Sequence, residues 1–119
     1  MLWGLLDDPR LSTKARAALS NPDNDILIST VSIFGITLKH HIGKLQQASP
    51  FVVHHARMLA DLEWEPLAVS VEHAALAGSL DIPHKDPFDR LLIAQARIER
   101  VPLISNEKLF DAYDVERIW

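Results

Sequence analysis

The stretch His84-Lys85-Asp86-Pro87-Phe88-Asp89-Arg90-Leu91-Leu92-Ile93-Ala94-Gln95-Ala96 decides how the rest of this 119-residue chain is read. Asp86-Pro87 is a helix start. The Asp side chain can accept from the free N–H groups of the first turn, and Pro at the first helical position has no N–H to waste. Asp89 then sits beside the remaining unpaired N–H groups and the positive end of the helix dipole. Two readings of these carboxylates stay open. In one, Asp86 caps, Asp89 completes a box-like start, and neither does chemistry. In the other, Asp89 stands at the mouth of a parallel sheet, where a carboxylate can hold a divalent metal.

Outward from this helix, short apolar runs alternate with helical segments. Ile26-Leu27-Ile28-Ser29-Thr30 has the continuous apolar character of a strand buried on both faces. Pro66-Leu67-Ala68-Val69, Val101-Pro102-Leu103-Ile104-Ser105 and Val115 to Trp119 are three further strand candidates. Between them lie a short helix capped by Ser12, a helix from Val31 to Ile42 closed by Gly43, one starting at Ser49-Pro50, and one capped by Ser70. Met1 to Leu6 reads as the last turns of an apolar helix, stopped by Asp7-Asp8-Pro9. Phe110 and Tyr113 are expected to pack between the last two strands. Strands that alternate with helices, without hairpin turns, imply an α/β sandwich around a parallel sheet. Sites in such sheets lie beyond the C-terminal strand ends. Thr30 onward, Ser105-Asn106-Glu107 and the loop before Asp89 all reach that edge in this reading.

The length suits one domain, residues 1–119, with one core. At 48% hydrophobic and 24% charged, the chain has the composition of a folded globular protein. No apolar run approaches bilayer length and no leader is recognisable, so no membrane partner and a cytoplasmic location are expected. The absence of cysteine excludes disulfides and thiolate metal sites. A net charge of −4 argues against a protein that grips nucleic acid by charge alone. It does not argue against one that reaches phosphate through a metal.

Glu107 follows a buried strand in Leu103-Ile104-Ser105-Asn106-Glu107. Ser105 can simply cap the next turn, with Glu107 favoured there by the dipole. On one sheet edge with Asp89, however, it makes a pair of oxygen ligands suited to Mg²⁺, which takes one or two carboxylates plus water and phosphate. The histidines offer less. His40-His41 and His54-His55 are doublets whose members point about 100° apart on a helix, a poor chelating arrangement. His84, beside the Asp86 loop, is the best placed of the six, with a surface or capping role the simpler alternative. No Gly-x-Ser-x-Gly and no glycine-rich phosphate loop is present.

The stretch from His84 to Ala96 resembles the third acidic motif of PIN-domain proteins, specifically the VapC-like toxins of type II toxin–antitoxin systems. Leu5-Leu6-Asp7-Asp8-Pro9-Arg10-Leu11-Ser12 resembles the segment after that family's first strand. Ile28 to Ile36, with Lys39 and Gly43-Lys44-Leu45, resembles its second motif. Pro102 to Glu107, with Phe110, Tyr113 and Trp119, resembles its close. The resemblance implies a PIN-like three-layer α/β/α sandwich around a mainly parallel sheet. It also implies a Mg²⁺- or Mn²⁺-dependent endoribonuclease acting on RNA, a homodimer, and a small antitoxin that enters the active-site groove. By the same resemblance Asp89 and Glu107 are the catalytic and metal-ligating positions, supported by Asp86, Ser105 and Asn106.

Two departures accompany it. The second acidic position, normally Glu, is Gly35, and Glu107 stands where the family usually has Asp. The first acidic position lies at the end of an opening strand that this chain is expected to lack, which would expose unpaired edges to another chain. Two carboxylates in place of four weaken the hold on an ion that dehydrates reluctantly. The expectation is therefore a degenerate or N-terminally shortened toxin of weak or no activity. The alternative is a catalytically dead PIN module that binds an antitoxin or another toxin protomer.

Overall fold

Strand and helix alternate along the chain in a computed structural model that describes residues 1–3, 11–83 and 86–119. In chain order the elements are β1 (Leu2–Trp3), α1 (Thr13–Ser20), β2 (Leu27–Ser29), α2 (Thr30–His41), α3 (Ser49–Leu62), β3 (Glu65–Leu67), α4 (Val71–Ser79), α5 (Pro87–Glu99), β4 (Leu103–Ile104) and β5 (Arg117–Ile118). The strands form one sheet in the order β3-β2-β1-β4-β5, and every pairing is parallel. The α/β sandwich expected from alternation is thus the observed architecture. Helix-containing crossovers are how a chain joins neighbouring parallel strands.

The opening segment differs from expectation. Met1 to Leu6 was expected to be helical and the first strand to be missing, yet Leu2–Trp3 occupies the central position of the sheet. Leu2 pairs with Leu27 on one side and Leu103 on the other. Its N–H donates to Pro102 O at 2.8 Å, and Leu27 N–H donates to Met1 O at 2.8 Å. The physical reason is the cost of leaving the facing groups of β2 and β4 unpaired inside a core. A short apolar run fits a buried strand as well as a helix, so its sequence could not settle the matter. The exposed strand edges expected on either side of the gap are therefore paired within the chain. Residues 4–10, which include most of the Leu5-to-Ser12 segment, and His84 lie outside the described residues.

Alternation along the strands divides the core between the two sheet faces. Leu2 and Leu103 join Val31, Leu92, Ile93, Ala96 and Phe110 on one side, and Tyr113 packs against the same cluster. Ile104 joins Ile26, Ile118 and Ala15 of α1 on the other. Helices thus cover both faces. This is the reason the strands read as continuous apolar runs.

Boundaries follow local chemistry. The second strand candidate shifts to Glu65–Leu67, where Pro66 is tolerated because β3 is an edge strand that needs fewer ladder donors. Ser12 Oγ accepts from Ala15 N–H at 3.0 Å to start α1. Gly43 takes φ +80° just past α2, a conformation costly to a side-chain-bearing residue. At α4, Ser70 Oγ accepts from His73 N–H at 3.1 Å while Ser70 N–H donates to His73 Nδ1 at 3.0 Å. With Nδ1 accepting, the imidazole proton sits on Nε2, which is 3.0 Å from Glu99 Oε1 in the last turn of α5. The buried imidazole therefore caps one helix and fastens it to the next.

Candidate functional site at the C-terminal edge of the sheet

α5 runs antiparallel to the strands. Its C-terminal end delivers the chain to β4 through Val101 N–H, which donates to Ala96 O at 3.1 Å. Its first turn therefore lies at the C-terminal edge. The ring of Phe88 there meets Phe34 in the second turn of α2, with centroids 5.4 Å apart. β2, β4 and the starts of α2 and α5 all converge on this edge.

The helix start has the geometry read from sequence. Asp86 is exposed and adopts an extended backbone at the N-cap. Its Oδ1 accepts from Phe88 N–H at 2.8 Å and from Asp89 N–H at 3.3 Å. Asp86 is a capping residue, and capping holds the backbone that carries Asp89. Asp89 itself is half-buried in the first turn.

Glu107 leaves the C-terminal end of β4 and is also half-buried, as is Asn106. Ser105 between them and the strand is fully buried, and its Oγ accepts from Glu107 N–H at 3.1 Å. Arg117 Nη1 donates to Ser105 O at 3.2 Å. The same guanidinium grips Asp111 with Nε at 2.8 Å and Nη2 at 3.0 Å, a two-pronged pair that closes the turn following Glu107. Hydrogen bonding to Arg117 holds the Asp111 carboxyl below its ordinary range, and the same pairing raises Arg117.

Gly35 is buried within α2, on the helix that starts at this edge. It offers no side chain to a ligand. Among the described residues no group of three or more His, Asp or Glu is gathered in a way that could hold a metal. The oxygen chemistry of Asp89 and Glu107 fits a hard cation that keeps most of its water. It does not fit the four-carboxylate pocket that the resemblance implies. Gly4, which follows β1, adds no acid, and Asp7 and Asp8 lie outside the described residues.

Three residues that shape this edge were not singled out from sequence. Gln95 is buried on α5 and bonds to Ser29. Arg90 donates to the carbonyls of Ala77 at 2.9 Å and Leu80 at 2.7 Å, satisfying the end of α4 and the turn beyond it. Arg117 does the same for the Glu107 loop. A polar residue inside the apolar face of α5 was the available signal for Gln95. No local signal marks the two arginines, whose carbonyl partners lie 8 to 13 residues away in Arg90's case and whose partners lie 6 and 12 away in Arg117's. Two surface clefts, one beside Arg97, Arg100 and Glu116 and one beside Asn21, Asp25 and Trp64, precede β2 to β5 and open at the opposite edge.

A family model described as the PIN domain matches residues 1–116. No curated protein sequence matches the chain. Among solved structures, a chain of VapBC2 from Rickettsia felis bound to a DNA fragment from its promoter is similar over 100% of both chains, with a TM-score of 0.63 and 15% identity. At that identity the likeness concerns the fold.

Proposed function

The chain belongs to the PIN-domain family, and on that premise we propose that it is a VapC-like toxin whose endoribonuclease activity is weak or absent. The observation that carries this reading is the pairing of an intact Asp86–Asp89 helix start with Gly35 in place of an acid. Asp89 and Glu107 would hold a Mg²⁺ or Mn²⁺ ion, with Asp86 and Ser105 fixing the backbones that carry them and Asn106 beside them. Such an ion supplies charge stabilisation at a phosphodiester and a more acidic water. The protein's part is to hold two carboxylates at one edge, and two give a sparse cradle for that ion.

A cognate antitoxin is the partner this reading requires, with RNA as substrate where activity remains, a homodimer as the assembly and the cytoplasm as location. An antitoxin is supported by the family and by the likeness in fold to a chain of a VapBC2 complex. Among the described residues no helix is long and apolar enough to cross a membrane. The second reading, a binding module without catalysis, is favoured by one observation. Gly35, which the motif resemblance sets at the family's second acidic position, is buried on α2, and α2 carries no Asp or Glu.

The deciding experiment is cleavage of a mixed RNA pool in Mn²⁺, beside Asp89→Asn and an EDTA control. Cleavage lost in both controls supports the nuclease. A folded chain that leaves the pool intact supports the binding module, and co-purification with the product of an adjacent small gene would then identify its partner.

A further inference from the structure

Gln95 is the one amide among the fully buried side chains of the described residues, set among the buried Leu92, Ile93, Ala94 and Ala96 of α5. An apolar residue would fill this space without needing partners, whereas a buried carboxamide must be given them. It has them at the C-terminal ends of two strands. Ser29 Oγ donates to Gln95 Oε1 at 2.5 Å. Gln95 Nε2 faces the carbonyls of Leu67 at 3.4 Å and Ala68 at 3.5 Å. Ser29, itself fully buried, also accepts from Val31 N–H at 3.0 Å and so caps α2. One chain of hydrogen bonds thus runs from the first turn of α2 through Ser29 and Gln95 to the end of β3.

We propose that Ser29 and Gln95 are a positioning pair that sets the first turn of α5, and with it Asp89, against the start of α2. The inference rests on the metal-binding reading of that edge only for its consequence, not for its geometry. Apolar contacts between helices tolerate sliding, and hydrogen bonds do not. A slip of one residue along α5 would move Asp89 by about 1.5 Å. That exceeds the roughly 0.5 Å to which a binding constellation must be held. The Phe34–Phe88 contact closes the same junction but has no comparable directionality.

The test uses the full chain with Ser29→Ala and Ser29→Thr, the latter keeping the hydroxyl. Gln95→Met is the second variant in case Ser29→Ala does not fold. Two quantities are measured well below the unfolding temperature: Mn²⁺ affinity, and hydrogen exchange at the Phe88 and Asp89 amides, which are held by Asp86. Ser29→Ala and Gln95→Met should each weaken Mn²⁺ binding about tenfold, the scale on which supporting hydrogen bonds act on metal sites. Both should speed exchange at Phe88 and Asp89, and Ser29→Thr should leave both quantities near those of the parent. A role in stability alone would lower the melting temperature without moving either one. Unchanged exchange at Phe88 and Asp89 in either folded variant overturns the proposal. A parent chain that does not bind Mn²⁺ overturns the metal reading by itself, and the exchange rates then decide the positioning role.

Discussion

At the scale of single residues, the two arginines at the edges of the candidate site do work that a count of surface charge would miss. Arg90 is half-buried and donates to carbonyls at the end of α4 and in the turn beyond it. Arg90→Ala should lower unfolding stability in urea by about 1.5–3 kcal/mol, the range for hydrogen bonds from a charged donor. Arg90→Lys should recover only part of that, since an ammonium lacks the planar fork. Asp111 and Arg117 set a pH dependence whose sign follows from the pairing. The Asp111 carboxyl is held below its ordinary value of 3.8 in the folded chain. Its contribution is therefore complete above that value and is lost as pH falls through the lower, folded pKa. Asp111→Asn should lower stability modestly at neutral pH and flatten the acid limb below pH 3.8, its profile converging on the parent's as the carboxyl is protonated. Asp111 is well exposed, so the effect should shrink as salt is added.

At the scale of elements, each helix at the site edge begins with a residue whose side chain accepts from its own first turn: Ser29 for α2, Ser70 for α4 and Asp86 for α5. Ser70→Ala should cost about 1 kcal/mol, as loss of an N-cap acceptor does, with the α4 amides exchanging faster than those of α5. The absence of any Asp or Glu on α2 allows a constructive test. Gly35→Glu returns a carboxylate to the helix that starts at the site edge. If the proposed weak activity comes from a short ligand count, the variant should bind Mn²⁺ more tightly than the parent and raise metal-dependent RNA cleavage. A folded variant that gains neither would place the deficit elsewhere along the chain.

At the scale of the whole molecule, a two-residue strand carries a large share of the fold. β1 is central, pairs on both sides, and places the fully buried Leu2 in the core between β2 and β4. Leu2→Ala should therefore destabilise the entire sheet cooperatively, by about 2–5 kcal/mol. The same change at the half-buried Leu67 of edge strand β3 should cost clearly less. Denaturant midpoints of the two variants compare them directly. The proposed antitoxin would act at this scale too. At a free concentration one hundred times its Kd it should add about 2.7 kcal/mol of apparent stability, seen as a concentration-dependent rise in melting temperature.

Period, caps and turns in the amino-acid sequence were enough to determine the alternation of strand and helix, the Asp86–Pro87 start of α5, the Gly43 stop of α2 and the parallel sheet. These are local signals, in which each residue's preference is set by neighbours within a turn or two of chain. The family could be recognised from the same motifs, and Gly35 on α2 is visible without coordinates. Only the tertiary structure decided that Leu2–Trp3 is the central strand, because an apolar run becomes strand or helix according to which unpaired partners it meets. It alone decided that Gln95 turns inward to Ser29, that Arg90 closes α4, and that Arg117 closes the Glu107 loop. Those partners are far apart in sequence, and a hydrogen bond between distant residues leaves no periodic trace in the chain that makes it.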